Sequence, residues 1–166
     1  MPDQFKVKRS PERASYDLET AFDILDQSLI GHVAFCMEEI PYNIPMIFAR
    51  KDTSLLIHSS VKSRFHRVLS SGVPVCLTST LLDGIVLAKS PFHSSMNYRS
   101  VMVFGRAMEI QAENEKMEAS QLITEKMVRG RWQDCRQPDK SELKVTGFLK
   151  IHIDNFSVKS RSGDPI

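Results

Sequence analysis

The chain is poor in cysteine, in long apolar runs and in excess charge of either sign, and each shortage removes a class of protein. Its three cysteines, Cys36, Cys76 and Cys135, are odd in number, far apart and without Cys-x-x-Cys spacing, so neither a disulfide framework nor a zinc or redox pair is encoded. A reduced, cytoplasmic protein is the expectation. No apolar stretch reaches the roughly 18 residues of a membrane helix, and Met1 to Arg13 is polar, without the apolar core of a signal peptide. No membrane partner is expected, and the glycosylation sequon Asn155-Phe156-Ser157 reads as accidental. The 22 basic residues are scattered among 20 acidic ones, whereas a nucleic-acid binder carries a dense basic stripe, so nucleic acid is not an expected partner. The histidines, His32, His58, His66, His93 and His152, fall on separate elements without metal-site spacing, and no metal site is expected.

What is present fits one core. A chain of 166 residues is long enough for a single domain and short for two, so we expect a flexible arm over residues 1–14 and one domain over 15–166. Leu18, Ala21, Phe22, Leu25 and Leu29 recur at helical spacing after a cap at Ser15. From Ile30 to Met37 the period changes to two, with Val33, Phe35 and Met37 on one face. Glu38-Glu39 turns the chain into a strand around Tyr42 to Ala49, and Arg50 to Ser54 turns it into Leu55-Leu56-Ile57-His58. A short helix burying Phe65, Val68 and Leu69 should stop at Gly72. Val73 to Ser79 and Gly84 to Lys89 read as strands joined by a tight Asp83-Gly84 turn. A long strand over Tyr98 to Ile110, a helix over Glu113 to Val128 with Met117, Ile123 and Met127 in line, Trp132 in a loop, a strand over Val145 to Ile153 and an extended tail from Phe156 complete the expectation. Many short strands without βαβ alternation predict an antiparallel barrel.

Chemistry concentrates between His58 and Arg64. Three hydroxyls, Lys62 and Arg64 lie where a strand gives way to the first turn of a helix, whose unpaired N–H groups and partial positive charge favour an anion. Ser63 can add a hydroxyl donor, and Arg64 a two-pronged charged contact to phosphate oxygens. The competing reading is a capped, solvated helix start.

Several motifs in order go further: Ile44-Pro45-Met46, Leu56-Ile57-His58-Ser59, Ser63-Arg64, Leu82-Asp83-Gly84 and Phe92 through Val101, then Gly130-Arg131-Trp132, Glu142-Leu143-Lys144 and Ser157 through Pro165. From about Ala21 to Pro165 the chain resembles the FMN-binding split-barrel superfamily, which includes pyridoxamine 5′-phosphate oxidases and nitroimidazole-resistance-type flavoproteins, and most of all its pyridoxamine-oxidase-like branch. The resemblance implies a mainly β, antiparallel split barrel with flanking helices. It also implies a homodimer with FMN at the interface, the phosphate held by one chain and the ring covered by both. Carried over by position, Asn43, Ile44, Pro45 and Met46 line the ring edge, and His58 and Ser59 end the next strand near the phosphate. Ser63 and Arg64 match the family's phosphate pair, with Lys62 a partial substitute for the lysine missing at Phe65, and Ser100 stands where the oxidases place a ring-contacting glutamine, with Tyr98 and Arg99 beside it.

The departures from that branch also carry information. Phe65 replaces a usual lysine, Asn43 and Phe48 replace an arginine and a lysine, and Phe156 to Ile166 has no counterpart of the segment that holds pyridoxal phosphate. His93, in a loop that the resemblance places near the flavin, is the one candidate proton donor, against a structural loop histidine. The expectation is therefore a flavoprotein oxidoreductase that passes electrons from a reduced nicotinamide or similar donor to a small organic substrate. The alternatives are a flavin or haem binding protein without turnover and, ranked last, a pyridoxamine 5′-phosphate oxidase.

Overall fold

Alternating apolar and polar residues put most of the chain into strands in the computed structural model, which describes residues 2–164. The strands are β1 (Ala14–Ser15), β2 (Ile30–Met37), β3 (Ile40–Ile47), β4 (Ala49–Lys51), β5 (Ser54–Ser60), β6 (Pro74–Val86), β7 (Ser95–Glu109), β8 (Thr146–His152) and β9 (Asn155–Arg161). The helices are α1 (Leu18–Gln27), α2 (Arg64–Ser70), α3 (Glu113–Met127), α4 (Arg131–Asp134) and α5 (Lys140–Val145). Pairing runs β3-β2-β6-β7-β8-β5-β4, with β9 joining β1 to β7, and the paired strands are antiparallel. This is the expected mainly antiparallel architecture with flanking helices, as an open sheet.

Strand β7 connects the two halves of the sheet. Its first part lies between β6 and β9, and Ala107 to Glu109 cross over to pair with β8. Gly105 sits at that crossing, where an added Cβ would lie 2.0 Å from the carbonyl oxygen of His152, so the close approach requires glycine. Two apolar clusters form on opposite sides of β5. Leu55 and Ile57 enter the first, with Val33, Leu77, Val101 and Leu149, while Leu56 enters the second, with Ile110, Ala119, Ile123, Leu143 and Phe148. Each fully buried side chain of this size contributes about 1.5–3 kcal/mol.

Local chemistry explains where elements depart from expectation. Asp17, not Ser15, caps α1, accepting from the Thr20 N–H at 2.8 Å; Ser15 instead accepts from the Asp17 N–H. The strand expected through Ala49 divides into β3 and β4, and Val145 ends α5 before β8 begins. Asp83-Gly84 is not a tight turn: β6 is continuous, and the pair forms a bulge opposite β7. Trp132 lies in the single turn α4 rather than a loop. Helix α5 was not expected, although Asp139 and Glu142 form a capping box at its start. Met127 is half exposed instead of aligned with the core, and the extended tail pairs as β9.

The arm runs along β9 and β7. Phe5 packs at a tilt against Phe104 with ring centres 4.7 Å apart, and Lys159 Nζ donates to the Arg9 carbonyl at 2.8 Å. Pro165 and Ile166, the end of the last motif and of the 15–166 span, lie outside the described residues.

Candidate functional site

The turn from β5 into α2 is built by its own hydrogen bonds. Ser63 N–H donates to the Ser60 carbonyl at 2.9 Å, and Val61 N–H donates to the Val145 carbonyl at 3.1 Å. Ser63 Oγ caps α2 by accepting from the His66 N–H at 3.0 Å, which leaves its own O–H available to a ligand. Arg64 lies with its guanidinium 4.8 Å from the centre of the Tyr42 ring, a cation–π contact that draws it toward β3 beside Asn43. Among the described residues neither Lys62 nor Arg64 has a carboxylate partner. An open cleft of about 730 Å³ adjoins the turn, lined by Lys62, Ser63, His66, Arg67, Ser70 and Glu109 among others.

Behind the turn lies a polar network that sequence reading did not find. The His66 ring is 4% exposed; its Nδ1 lies 3.2 Å from Ser59 Oγ and its Nε2 lies 3.2 Å from Glu109 Oε1. With the Glu109 carboxylate as acceptor, Nε2–H donates to it, and Nδ1 shares a hydrogen bond with the Ser59 hydroxyl. Gly147 on β8 makes room for the ring, since a Cβ there would meet His66 Cε1 at 2.1 Å. No short motif signals this arrangement, because its parts come from β5, α2, β7 and β8.

Other expected site residues lie elsewhere. His58 and Ser59 are adjacent on β5, so their side chains leave on opposite faces: Ser59 joins His66, and His58 faces away from the α2 turn. Asn43 to Met46 lie on β3, whose pairing partner among the described residues is β2. Tyr98, Arg99 and Ser100 lie on β7, three strands from β3 and therefore about 14 Å away across the sheet. Arg99 is occupied by Asp83 at 2.9 Å, Asp23 at 3.4 Å and Gln27 at 3.2 Å, and it holds the Asp83 carboxyl below its ordinary pKa. Ser100 Oγ donates to the Lys159 carbonyl at 3.1 Å. His93 is exposed in the 3₁₀ turn Pro91–His93 between β6 and β7.

On the other face of β5 is a second cavity, of about 430 Å³, between β5, β8, α3 and α5. Ser120, Ile123, Thr124 and Met127 line it from one face of α3, at i, i+3, i+4 and i+7, with Leu143 and Phe148 opposite. His58 opens into it, its ring 6.1 Å from that of Phe148. Solvent reaches the imidazole through the cavity, yet the surrounding protein disfavours its charged form, so burial lowers the His58 pKa. Among the described residues the ring has no hydrogen-bond partner, and there is no group of three or more His, Cys, Asp or Glu side chains able to hold a metal ion.

Residues 17–160 match the family model described as pyridoxamine 5′-phosphate oxidase. The chain belongs to this family. Among solved structures of the pyridoxamine 5′-phosphate oxidase fold, it is similar to the flavocytochrome Anf3 from Azotobacter vinelandii, with 34% identity over 99% of this chain and 77% of that one and a TM-score of 0.91. It is also similar to the FAD and haem binding protein from Mycobacterium smegmatis, with 34% identity, coverage of 93% and 76%, and a TM-score of 0.87. A candidate 5-nitroimidazole antibiotic resistance protein from Bacteroides thetaiotaomicron shares the fold at 23% identity, coverage of 88% and 85%, and a TM-score of 0.74. No curated protein matches the chain. The resemblance read from the ordered motifs is thus borne out, and among the described residues no helix is long and apolar enough to cross a membrane.

Proposed function

We propose that this chain is a flavin-binding oxidoreductase whose phosphate anchor is the β5–α2 turn. The observation that carries the reading is the pair of uncompensated cations, Lys62 and Arg64, beside the Ser63 hydroxyl, with Arg64 held over Tyr42 next to Asn43 to Met46. Membership of the pyridoxamine 5′-phosphate oxidase family supports it, as do the two relatives at 34% identity, one a flavocytochrome and the other a binder of FAD and haem. Arg64 would take two phosphate oxygens, Ser63 would donate its O–H, and Lys62 would add charge. Strand β3 offers its outer backbone groups to the edge of a flat ring, a role in which Pro41 and Pro45 cost no sheet pairing. A bound flavin supplies hydride and electron transfer; the protein's part is to position it and exclude water. We assign FMN, whose single phosphate Lys62, Ser63 and Arg64 would hold, and FAD is the alternative that mass spectrometry of the extracted flavin distinguishes.

Ile30, Leu82, Met96 and Met102 are exposed apolar residues on β2, β6 and β7, and Ile85 and Leu87 extend the patch. We assign this face to a homodimer contact through which a second copy would bring its own residues to the ring, including Tyr98 and Ser100. Sedimentation of the purified protein checks the stoichiometry. The donor in this reading is a reduced nicotinamide, the acceptor a small organic substrate and the compartment the cytoplasm, where three free cysteines would stay reduced. Anaerobic mixing of flavin-loaded protein with NADPH tests turnover: bleaching of the yellow colour supports the oxidoreductase, and an unchanged spectrum leaves a flavin carrier. The Mycobacterium smegmatis relative binds haem and the Azotobacter vinelandii relative is a flavocytochrome, and haem is the second prosthetic group we carry to this chain. The specific observation in its favour is the unpartnered His58.

A further inference from the structure

We propose that the cavity between α3, α5, β5 and β8 is a haem site in which His58 is an axial ligand of the iron. The proposal rests on the haem reading above and gives it a location separate from the flavin turn, on the opposite face of β5. A cavity of about 430 Å³ lies within the range of small-molecule and cofactor sites, roughly 300–1,000 Å³. Ile123, Met127, Leu143 and Phe148 give it apolar walls against which a porphyrin plane can pack, and Ser120, Thr124, Thr146, Arg136 and Glu142 supply the polar part of the lining. Arg136 pairs with Glu142 at 2.7 Å and lies 3.7 Å from Asp139, and its five N–H donors exceed these contacts, which lets it also meet a carboxylate of a haem.

The donor set selects the kind of metal. A bare ion needs several protein ligands, and the described residues offer no such cluster. A single imidazole is enough when the metal brings four equatorial nitrogens of its own, and one His is the usual proximal haem ligand. His58 meets the requirements: it opens into the cavity, and among the described residues no protein group occupies its nitrogens. Met127, one turn along α3 from Ile123 and Thr124, lines the same cavity with a thioether.

The test is titration of the purified protein with haemin, followed by the Soret band, with flavin content read on the same samples. The expected result is saturable uptake of one haemin per chain with a shifted Soret maximum. His58→Gly should weaken uptake by more than about 100-fold, because even outer partners of a metal ligand are worth 10- to 100-fold, and added imidazole should restore the spectrum. Thr124→Trp, which fills the cavity and leaves His58 in place, should also block uptake and guards against misfolding of the glycine variant. Absence of haemin binding by the unmodified protein, or unchanged affinity and spectrum in the variants, overturns the proposal. Haemin uptake without flavin would sink the flavin reading alone, and flavin uptake without haemin would sink this one alone.

Discussion

The two faces of β5 are built on opposite principles although their key residues, His58 and Ser59, are neighbours in the chain. On the Ser59 face the buried ring is paired on both sides: Ser59 meets His66, His66 meets Glu109, and Gly147 leaves the space that the ring fills. That face is a closed network, and the cations in front of it stand in a fixed frame. On the His58 face the imidazole has no partner among the described residues, and apolar walls from Ile123, Leu143 and Phe148 alternate with polar ones from Ser120, Thr124 and Glu142. The difference teaches that one strand can carry a closed hydrogen-bonded network on one side and an open cavity on the other, because its side chains alternate.

The largest effect that would break this contrast is at Gly147. Gly147→Ala puts a Cβ within 2.1 Å of His66 Cε1, and displacing the buried ring breaks both of its hydrogen bonds, so unfolding in urea should show a loss of about 3 kcal/mol or more. A loss under about 0.5 kcal/mol would mean that the network is loose and the frame argument wrong. Next, Arg64→Ala should lower FMN affinity by roughly 10- to 150-fold, equivalent to about 1.5–3 kcal/mol for a lost charged hydrogen bond, while leaving haemin uptake on the other face unchanged. Fluorescence titration with FMN reads the first, and equal weakening for riboflavin, which lacks the phosphate, would contradict the placement.

A smaller change sharpens the description of the cavity side. Asp139 accepts from the Ser141 and Glu142 N–H groups at 2.8 and 3.0 Å, and removing this cap of α5 by Asp139→Ala should cost about 1 kcal/mol in thermal unfolding, with the phosphate anchor unaffected. The smallest effect is a pH dependence. The His58 pKa is lowered in the folded protein, so the unfolded chain binds more protons just below the ordinary value of 6.5; stability from this group is complete above that pH and declines as pH falls through the window toward the folded value. Denaturant midpoints from pH 5 to 7 should therefore rise with pH, and His58→Gln should flatten part of that slope. An identical slope in the variant would show that the ring is not desolvated.

These predictions also mark what could be read from sequence. Local signals carried the helix start at Ser63, its stop at Gly72 with φ 79°, and the β2–β3 hairpin, whose Glu38 and Glu39 both adopt the left-handed conformation a two-residue turn demands. The Asp83-Gly84 pair misled because its turn chemistry is local, whereas Asp83 is held by Arg99 across the sheet and the chain stays extended through a bulge. The capping box at Asp139 and Glu142 and the α3 stripe Ser120, Ile123, Thr124 and Met127 were legible signals that went unread. His58 and Ser59 were grouped by their proximity in sequence, although strand alternation alone separates them. The His66 network had no signature, because long-range packing of four elements creates it.

The central claim is that the β5–α2 turn anchors the phosphate of a flavin. Its most direct test is the visible absorption spectrum of the purified protein before and after addition of FMN. The account predicts the bands of an oxidised, protein-bound flavin that survive gel filtration in the unmodified chain and are lost in Arg64→Ala. A colourless protein that retains no flavin after it is supplied would contradict it.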